Sequence, residues 1–304
     1  MSNDRQSYDG KVYIGTILLE PNRWKPPRRP SYAVSEWFGR FEQSGFDGIE
    51  LWEYHATLCP PKELAKLERS PLPIAVFNSY ASFDDAGEPD RAQAALQVKR
   101  LRAGGVKFNL GSRWDEREMY LRHLIAWARQ LPAGARVLCE CHPGTIMEVP
   151  RQAAEVFGRL EELIATGTPR SPDGARAYGT VGAPKTAGED DASRAPGSSE
   201  TSELSFEVIV HPFYTEATVL AEFFRLLGTR ITHAHVQMRD GDRFVCLDEN
   251  PDLAKERLRL LRDEGFRGSF TLEFTAGTNT PGESREALYA AAERDLAFLR
   301  EHWR

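Results

Sequence analysis

The chain has 304 residues, which is enough for one large α/β barrel or for two ordinary domains. Its composition is that of a globular protein, since 41% of the residues are hydrophobic and 28% are charged. It contains no apolar stretch of about eighteen residues, the length that a membrane-spanning helix needs. The formal net charge is −6, and the chain has no overall basic stripe of the kind that nucleic-acid-binding proteins carry. We therefore expect neither a membrane nor a nucleic acid as a partner.

The N-terminal residues and the cysteines indicate a cytoplasmic protein. Residues 1–10 are polar where a secretory signal peptide has its apolar segment, and we interpret them as an N-terminal tail. The cysteines include no CxxC pair, and we interpret them as buried structural thiols in a reducing compartment. They are Cys59, Cys139, Cys141 and Cys246.

Eight strand-like runs recur along the chain. Most are continuous runs of Val, Ile, Leu and Phe, which is typical of strands that are buried on both faces of a parallel sheet. The runs are residues 11–19, 48–52, 73–79, 106–111, 136–142, 206–212, 231–238 and 269–274.

Amphipathic segments alternate with these runs. The first starts at Ser31, a capping residue, and stops at Gly45, where a helix C-terminal glycine belongs. Eight strands alternating with eight helices predict a parallel sheet with crossover helices, and at this length a closed (β/α)8 TIM barrel fits better than an open sheet. No Gly-rich dinucleotide turn follows the first strand. We predict a single TIM-barrel domain over residues 11–304. The helical segments are residues 31–45, 61–70, 89–105, 115–131, 150–167, 216–228, 251–265 and 284–303.

Residues 167–204 interrupt this alternation. The segment is rich in Gly, Pro, Ser, Ala and Thr and has no apolar period, so its burial cannot offset the entropy lost on ordering. We predict a disordered insertion between the fifth helix and the sixth strand. Loops of that type lie on the face of a TIM barrel opposite the active site.

Metal-capable residues lie near the ends of the last four strand-like runs. In a barrel of parallel strands, side chains at the C-terminal strand ends converge on one pocket. Two carboxylates and two imidazoles form a plausible shell for one divalent cation. The four residues are Glu140, His211, His235 and Glu273.

Three motifs resemble the xylose isomerase-like TIM barrels, the sugar phosphate isomerase/epimerase superfamily. GFDGIELW (45–52) is similar to the second strand of that family, with Glu50 at its acidic position. ECHPGT (140–145) is similar to the fifth-strand pattern. HAHVQMRDG (233–241), followed by TLEF (271–274), is similar to the seventh-strand histidine and the eighth-strand glutamate.

The resemblance implies metal ligands in the order Glu, Asp, His and Glu, from strands five to eight. Carried over, these positions are Glu140, His211, His235 and Glu273, so a histidine stands where the family has aspartate. Tyr214 likewise replaces a family histidine. Two imidazoles shift metal preference from Mg²⁺ towards Mn²⁺, our first expectation, or Co²⁺, Zn²⁺ or Fe²⁺.

Further residues are candidates for substrate contact. Trp24 lies in the basic loop 21–30, which is either a solvated polyproline-like loop or a lid over an anionic or sugar ligand. Glu50 is either a pocket residue or a buried acid paired with an arginine. His233 either contacts substrate, supports His235 from behind or is a buried structural residue. The complete set is Trp24, Glu50, His55, Asn78, Asn109, His142, Tyr214, His233 and Arg243.

The resemblance implies a divalent-metal-dependent isomerase or epimerase acting on a small-molecule sugar, keto-sugar or polyol. Glu140 and Glu273 would be its acid/base pair. A dehydratase or other carbon–oxygen lyase uses the same proton abstraction and stays open, as does a non-catalytic metal-binding subunit. A DNA-repair endonuclease is disfavoured, because seven histidines and a net charge of −6 do not clearly supply a multi-metal cluster and a DNA-facing surface. A homo-oligomer is compatible with the sequence.

Overall fold

A closed barrel of eight parallel strands forms the centre of the molecule. The computed structural model describes residues 9–166 and 204–303. The strands follow one another round the barrel in chain order, and the last pairs with the first, so the predicted (β/α)8 fold is confirmed. The barrel strands are β1 (Val12–Gly15), β2 (Gly48–Trp52), β3 (Ile74–Asn78), β4 (Gly105–Phe108), β5 (Arg136–Glu140), β6 (Phe206–Val210), β7 (Ile231–Val236) and β10 (Ser269–Leu272).

Helices connect the strands and cover the outside of the barrel. Gly45 ends the first helix with a φ of 84°, as predicted. Ser31 does not cap that helix, because the chain first makes a 3-10 turn at Val34–Glu36 and the helix begins only at Phe38. The helices are α1 (Phe38–Ser44), α2 (Tyr54–Thr57), α3 (Pro61–Leu67), α4 (Glu88–Leu101), α5 (Arg117–Ala128), α6 (Pro150–Ala165), α7 (Ala217–Leu227), α8 (Pro251–Asp263) and α9 (Arg285–His302).

The seventh strand is shorter than predicted. Its barrel part ends at Val236, and Met238 already belongs to an antiparallel hairpin of β8 (Met238–Asp240) and β9 (Arg243–Val245). Gly241 allows the tight turn between them with a φ of 59°. The sequence pattern predicted a strand up to residue 238 because β8 is also extended and continues the pattern of β7.

Two segments singled out in the sequence fall largely outside the described residues. The predicted N-terminal tail is described only from residue 9 onwards, and the predicted insertion only at residue 204. Within the described part of the chain, no helix is both long and apolar enough to cross a membrane.

Alternate side chains of the barrel strands point inwards and form tiers along its axis. At the N-terminal end, Arg136 Nε lies 2.8 Å from Glu207 Oε2. Two residues further along each strand, an apolar tier packs together and is fully buried. It consists of Val76, Leu138 and Ile209. Another two residues along, Glu140 and His211 occupy the C-terminal end. The interior is therefore polar at both ends, while its middle is apolar on the side of β3, β5 and β6 and polar where His233 of β7 lies level with Ile209.

Candidate functional site

The four predicted metal ligands converge at the C-terminal end of the barrel. Glu140 ends β5, His235 lies in β7, and His211 and Glu273 follow β6 and β10 directly. One donor atom from each lies within 4.8 Å of those of the other three, and all four side chains are buried. The strand ends thus bring together residues that are up to 133 positions apart in the chain.

The distances between donor atoms suit a shell around one cation. Glu140 Oε1 lies 3.0 Å from His211 Nε2 and 3.1 Å from His235 Nδ1. Glu273 Oε2 lies 3.4 Å from His235 Nδ1 and 4.0 Å from His211 Nε2. Ligands at about 2.1 Å from a metal are separated by roughly 3.0 Å at right angles and 3.4 Å at tetrahedral angles. The donor set and its spacing therefore fit a divalent ion.

The second ring nitrogen of His235 is held by Glu50. His235 Nε2 lies 3.1 Å from Glu50 Oε2, and Asn78 Nδ2 donates to Glu50 Oε1 at 2.8 Å. Burial alone would lower the pKa of His235, but the carboxylates of Glu50 and Glu273 outweigh it and raise that pKa well above its usual value. A ligand histidine whose far nitrogen meets a carboxylate is oriented for metal binding through the near one. Glu50 therefore supports the centre from behind.

Lys107 is a site residue that the sequence analysis missed. It lies in β4 with 3% of its side chain exposed, and its Nζ is 2.6 Å from Glu140 Oε2. Burial opposes the charge of both groups, but their attraction outweighs it, lowering the pKa of Glu140 and raising that of Lys107. The available signal was a lone cation inside the apolar run VKFNLG, since charges are rarely buried without a partner.

His233 lies two residues before His235 in β7, on the same face of the strand and deeper in the barrel. Its Nδ1 lies 2.8 Å from Ser269 Oγ and its Nε2 lies 2.9 Å from Thr271 Oγ1. Burial lowers the pKa of His233 to about 4, so the ring is neutral at physiological pH. Its Nε2 also lies 3.5 Å from Glu50 Oε2. These contacts place His233 beneath the centre.

Two asparagines hold polar atoms near the strand ends on the β3–β4 side. Asn78 is fully buried, and the Oδ1 atoms of Asn78 and Asn109 have no hydrogen-bond partner within the described chain. Asn78 neighbours Lys107 in the β3–β4 register. Since buried acceptors usually have partners, both atoms are available to donors such as substrate hydroxyls or water.

His55 belongs to a separate buried cluster beside β2. Its Nδ1 lies 2.9 Å from Thr16 Oγ1, its Nε2 lies 3.6 Å from Glu20 Oε2, and its ring packs edge-on against Tyr32. Burial lowers the pKa of His55. These contacts tie His55 to the segment that follows β1.

Residues 21–30, which we call the strap, cross the C-terminal mouth of the barrel. The Trp24 ring lies 5.3 Å from that of Phe274, next to Glu273 in sequence, while Arg28 Cζ lies 5.1 Å above the ring of Tyr80, after β3. Trp24 remains 46% exposed, so one part of its surface is free for contact.

Three predicted contact residues lie at the exposed rim. The His142 ring lies 6.4 Å from that of His211, and its Nδ1 is 2.6 Å from its neighbour's carbonyl oxygen, Pro143 O. Tyr214 is 47% exposed. Arg243 lies in the hairpin, mostly exposed, with its Nη2 3.5 Å from Asp240 Oδ2. Their roles in substrate binding stay predictions.

Comparison with known proteins shows similarity in fold. No protein-family model and no curated protein matches the chain. A 3-keto-D-glucoside 4-epimerase from E. coli is 14% identical, with a TM-score of 0.56 over 96% of this chain and 99% of that chain. A xylose isomerase-like TIM barrel protein from Mycobacterium smegmatis, solved in complex with magnesium, is 10% identical, with a TM-score of 0.57 over 98% and 100%. Endonuclease IV from Thermus thermophilus is 13% identical, with a TM-score of 0.54 over 96% and 99%.

These similarities confirm the predicted fold, a closed (β/α)8 TIM barrel. The three proteins differ in what their names say they do. The same barrel therefore carries more than one chemistry, and function has to be argued from the site.

Proposed function

We propose that this protein is a divalent-metal-dependent isomerase or epimerase acting on a sugar, keto-sugar or related polyol. The metal would be held by Glu140, His211, His235 and Glu273. Mn²⁺ is the ion we favour, because two carboxylates suit Mg²⁺ and Mn²⁺ alike and two imidazoles shift the preference away from Mg²⁺. The single observation behind the proposal is the convergence of these four buried donors within 4.8 Å. We place the protein in the cytoplasm, in keeping with its four free cysteines.

The charges of the surrounding groups support a divalent ion. Glu50, Glu140 and Glu273 contribute three negative charges and Lys107 one positive charge, which leaves a formal −2 once the ring proton of His235 is displaced for metal binding. Uncompensated charge in a buried site is costly, so one divalent cation balances this set. A bound cation would polarise a substrate carbonyl and acidify the neighbouring carbon-bound proton.

The proposed work of the chain itself is proton transfer and orientation. A carboxylate of the Glu140 and Glu273 pair would take the proton from carbon and return it, as a positioned general base. The strap would limit the access of water, with Trp24 as a stacking surface for a sugar ring. Asn109, His142 and Tyr214 are proposed to meet substrate hydroxyls at the mouth. The 3-keto-D-glucoside 4-epimerase of similar fold has a substrate of this chemical class.

Elemental analysis of the purified protein, followed by activity screening, tests the proposal. Chelator-treated protein receives Mn²⁺, Co²⁺, Zn²⁺ or Mg²⁺ and is incubated with keto-sugars in D₂O. We expect one ion per chain and an isomeric product that carries deuterium at carbon. Metal content far below one ion per chain, together with no turnover, would contradict the proposal.

The same incubation separates isomerisation from elimination. A lyase expels a leaving group after the same proton abstraction, so its product is lighter by one water. A deuterated isomer of unchanged composition supports the isomerase or epimerase assignment. Detection of the dehydrated product would assign the site to a carbon–oxygen lyase instead.

A further inference from the structure

The two carboxylates of the centre differ in the contacts of their oxygens. Both oxygens of Glu140 are engaged: Oε1 faces His211 and His235 at 3.0 and 3.1 Å, and Oε2 lies 2.6 Å from Lys107 Nζ. Within the described chain, the polar contacts of Glu273 all involve Oε2, including the hydrogen bond that Gln237 Nε2 donates at 3.2 Å. Glu273 Oε1 is thus the carboxylate oxygen of this pair without a protein partner.

Lys107 holds the second carboxylate oxygen of Glu140, whereas Oε1 of Glu273 has no such partner in the described chain. Its side chain is buried, and its ammonium lies between Glu140 and the ring of Tyr80, whose centroid is 5.3 Å from Nζ. A buried, charge-assisted pair at this distance is stronger than a neutral hydrogen bond, and breaking it leaves an uncompensated charge. An oxygen held in this way is a poor acceptor for a proton from carbon and does not turn towards a metal ion.

We propose that Lys107 is a positioning residue that limits Glu140 to one metal-ligand oxygen and leaves proton transfer to Glu273. The inference rests on the proposed function, because it assigns separate roles to two of the proposed ligands. Glu140 would hold the ion through Oε1, while its Oε2 lies beside the Lys107 ammonium. Glu273 would hold the ion through Oε2, and its Oε1 would take the proton from the hydroxyl-bearing carbon and deliver it to the same face of the neighbouring carbonyl carbon, while the hydroxyl proton passes to the carbonyl oxygen, the single-base course of an isomerisation.

Cobalt titration of two variants tests this assignment. Lys107→Met removes the ammonium, so Oε2 of Glu140 turns to the ion as a second ligand oxygen. We expect Co²⁺ affinity to rise on the order of tenfold, because a positive charge close to the ion is lost. The visible absorption of Co²⁺ weakens as its coordination number rises. Lys107→Arg retains the positive charge and restores the wild-type spectrum and affinity.

Arg136→Met is the matched control. It also removes a buried cation that pairs with a glutamate inside the barrel, but at the opposite end, 2.8 Å from Glu207. We expect it to lower thermal stability while leaving the Co²⁺ spectrum and affinity unchanged. Thermal unfolding and circular dichroism, measured for every variant, identify effects that come from misfolding.

The outcomes separate the inference from the function on which it rests. Stoichiometric Co²⁺ binding by the wild type, with Lys107→Met indistinguishable from Arg136→Met in spectrum and affinity, would overturn the role of Lys107 and leave the metal site standing. A wild type that binds neither Co²⁺ nor Mn²⁺ would overturn both. A changed spectrum in Lys107→Met that Lys107→Arg reverses supports the inference, even if the methionine variant is less stable.

Discussion

Glu273 combines burial with a free oxygen, and this combination makes its chemistry testable. Its side chain is 8% exposed, and the neighbouring Phe274 packs against Trp24 of the strap. In the proposed function, Oε1 would meet substrate at the mouth while Oε2 faces His211 and His235. Single-atom changes at this position therefore test chemistry with little change in packing.

Glu273→Gln should abolish turnover while the fold is retained. The amide keeps the shape and one ligand oxygen but cannot accept the proton, and loss of a general base costs about 10²- to 10⁴-fold in rate. Turnover, metal content and circular dichroism are measured together. Glu207→Gln makes the same change at the other end of the barrel and should retain activity. Full turnover by a metal-loaded Glu273→Gln variant would refute the role.

For single residues, the sequence predicts which side chains meet at the centre but not which cation pairs with Glu140. Glu140, His235 and Glu273 were predictable because a charged or imidazole side chain stood at the end of an apolar run. The pair of Glu140 with Lys107 was not, because the partner lies on a different strand, 33 positions earlier. The parallel register of β4 with β5 brings Lys107 close to Glu140, and that register is not readable from either strand alone.

The strap is tied to the barrel at its base by buried side chains. The buried carboxylate of Glu20 fixes both of its ends, since Asn22 N donates to Oε1 at 2.9 Å and Ser31 N donates to Oε2 at 2.7 Å. Arg23 adds a third tie through its hydrogen bonds to the carbonyl oxygens of Ile17 and Leu18. The sequence showed a basic loop, but the clamp at its base depends on residues that are eleven positions apart.

Glu20→Ala should release the strap and expose it to protease. Trypsin does not cut before proline, which follows Lys25 and Arg29, and Arg23 is buried, so the Arg28–Arg29 bond is the expected site. Cleavage there should accelerate roughly tenfold, because local opening precedes proteolysis. Mass spectrometry of timed digests measures the rate. Glu36→Ala, at an exposed position on the following turn, should digest like the wild type; equal rates for all three proteins would contradict the clamp.

A second element-scale contact joins α9 to the barrel through Asp295. Its Oδ1 accepts from Leu247 N at 2.7 Å and its Oδ2 from Thr275 Oγ1 at 2.6 Å. Burial nevertheless raises the pKa of Asp295 to about 7. The folded state therefore holds this proton more tightly than the unfolded state does. Below about pH 4 both states are protonated, so the group costs no stability there.

Asp295→Asn should stabilise the protein at high pH and be nearly neutral at low pH. As pH rises from about 4 to 7, the unfolded carboxyl ionises first and the stability of the wild type falls, by about 4 kcal/mol at most. The asparagine variant has no carboxyl to ionise. The difference in unfolding free energy between the two proteins therefore grows from about pH 4 to 7 and is constant above that range. Urea unfolding at pH 4.5, 6 and 8.5 measures it, with the exposed Asp263→Asn as control. A difference that does not depend on pH would contradict the pKa of Asp295.

Across the whole molecule, the alternation of apolar runs and amphipathic segments was enough to predict the barrel. The strand interiors carry few polar side chains, and helices end where glycine permits, as at Gly45. The hairpin after β7 was not predictable, because its first strand, beginning at Met238, continues the extended pattern of β7 and only the partner strand reveals the turn. Local patterns therefore predict elements, while pairing decides their ends.

Replacing residues 168–203 with a short Gly-Ser linker should leave the site intact. The described chain stops at Thr166, just after α6, and resumes at Leu204, just before β6. Both points belong to a helix-to-strand connection, which lies on the face of the barrel away from the centre. We expect metal affinity and turnover within about twofold of the wild type, because loop-closure free energy changes slowly with length. A variant that folds but loses turnover would contradict this placement.

The apolar tier of Val76, Leu138 and Ile209 has a kinetic consequence. It packs beneath the centre on the side of β3, β5 and β6, so in the proposed function substrate and product would share the C-terminal mouth under the strap. Product would then leave by the route along which substrate arrived, and a second molecule could not enter while the first remained. Product inhibition should accordingly be competitive with substrate, and turnover cannot exceed the rate at which the entrance clears.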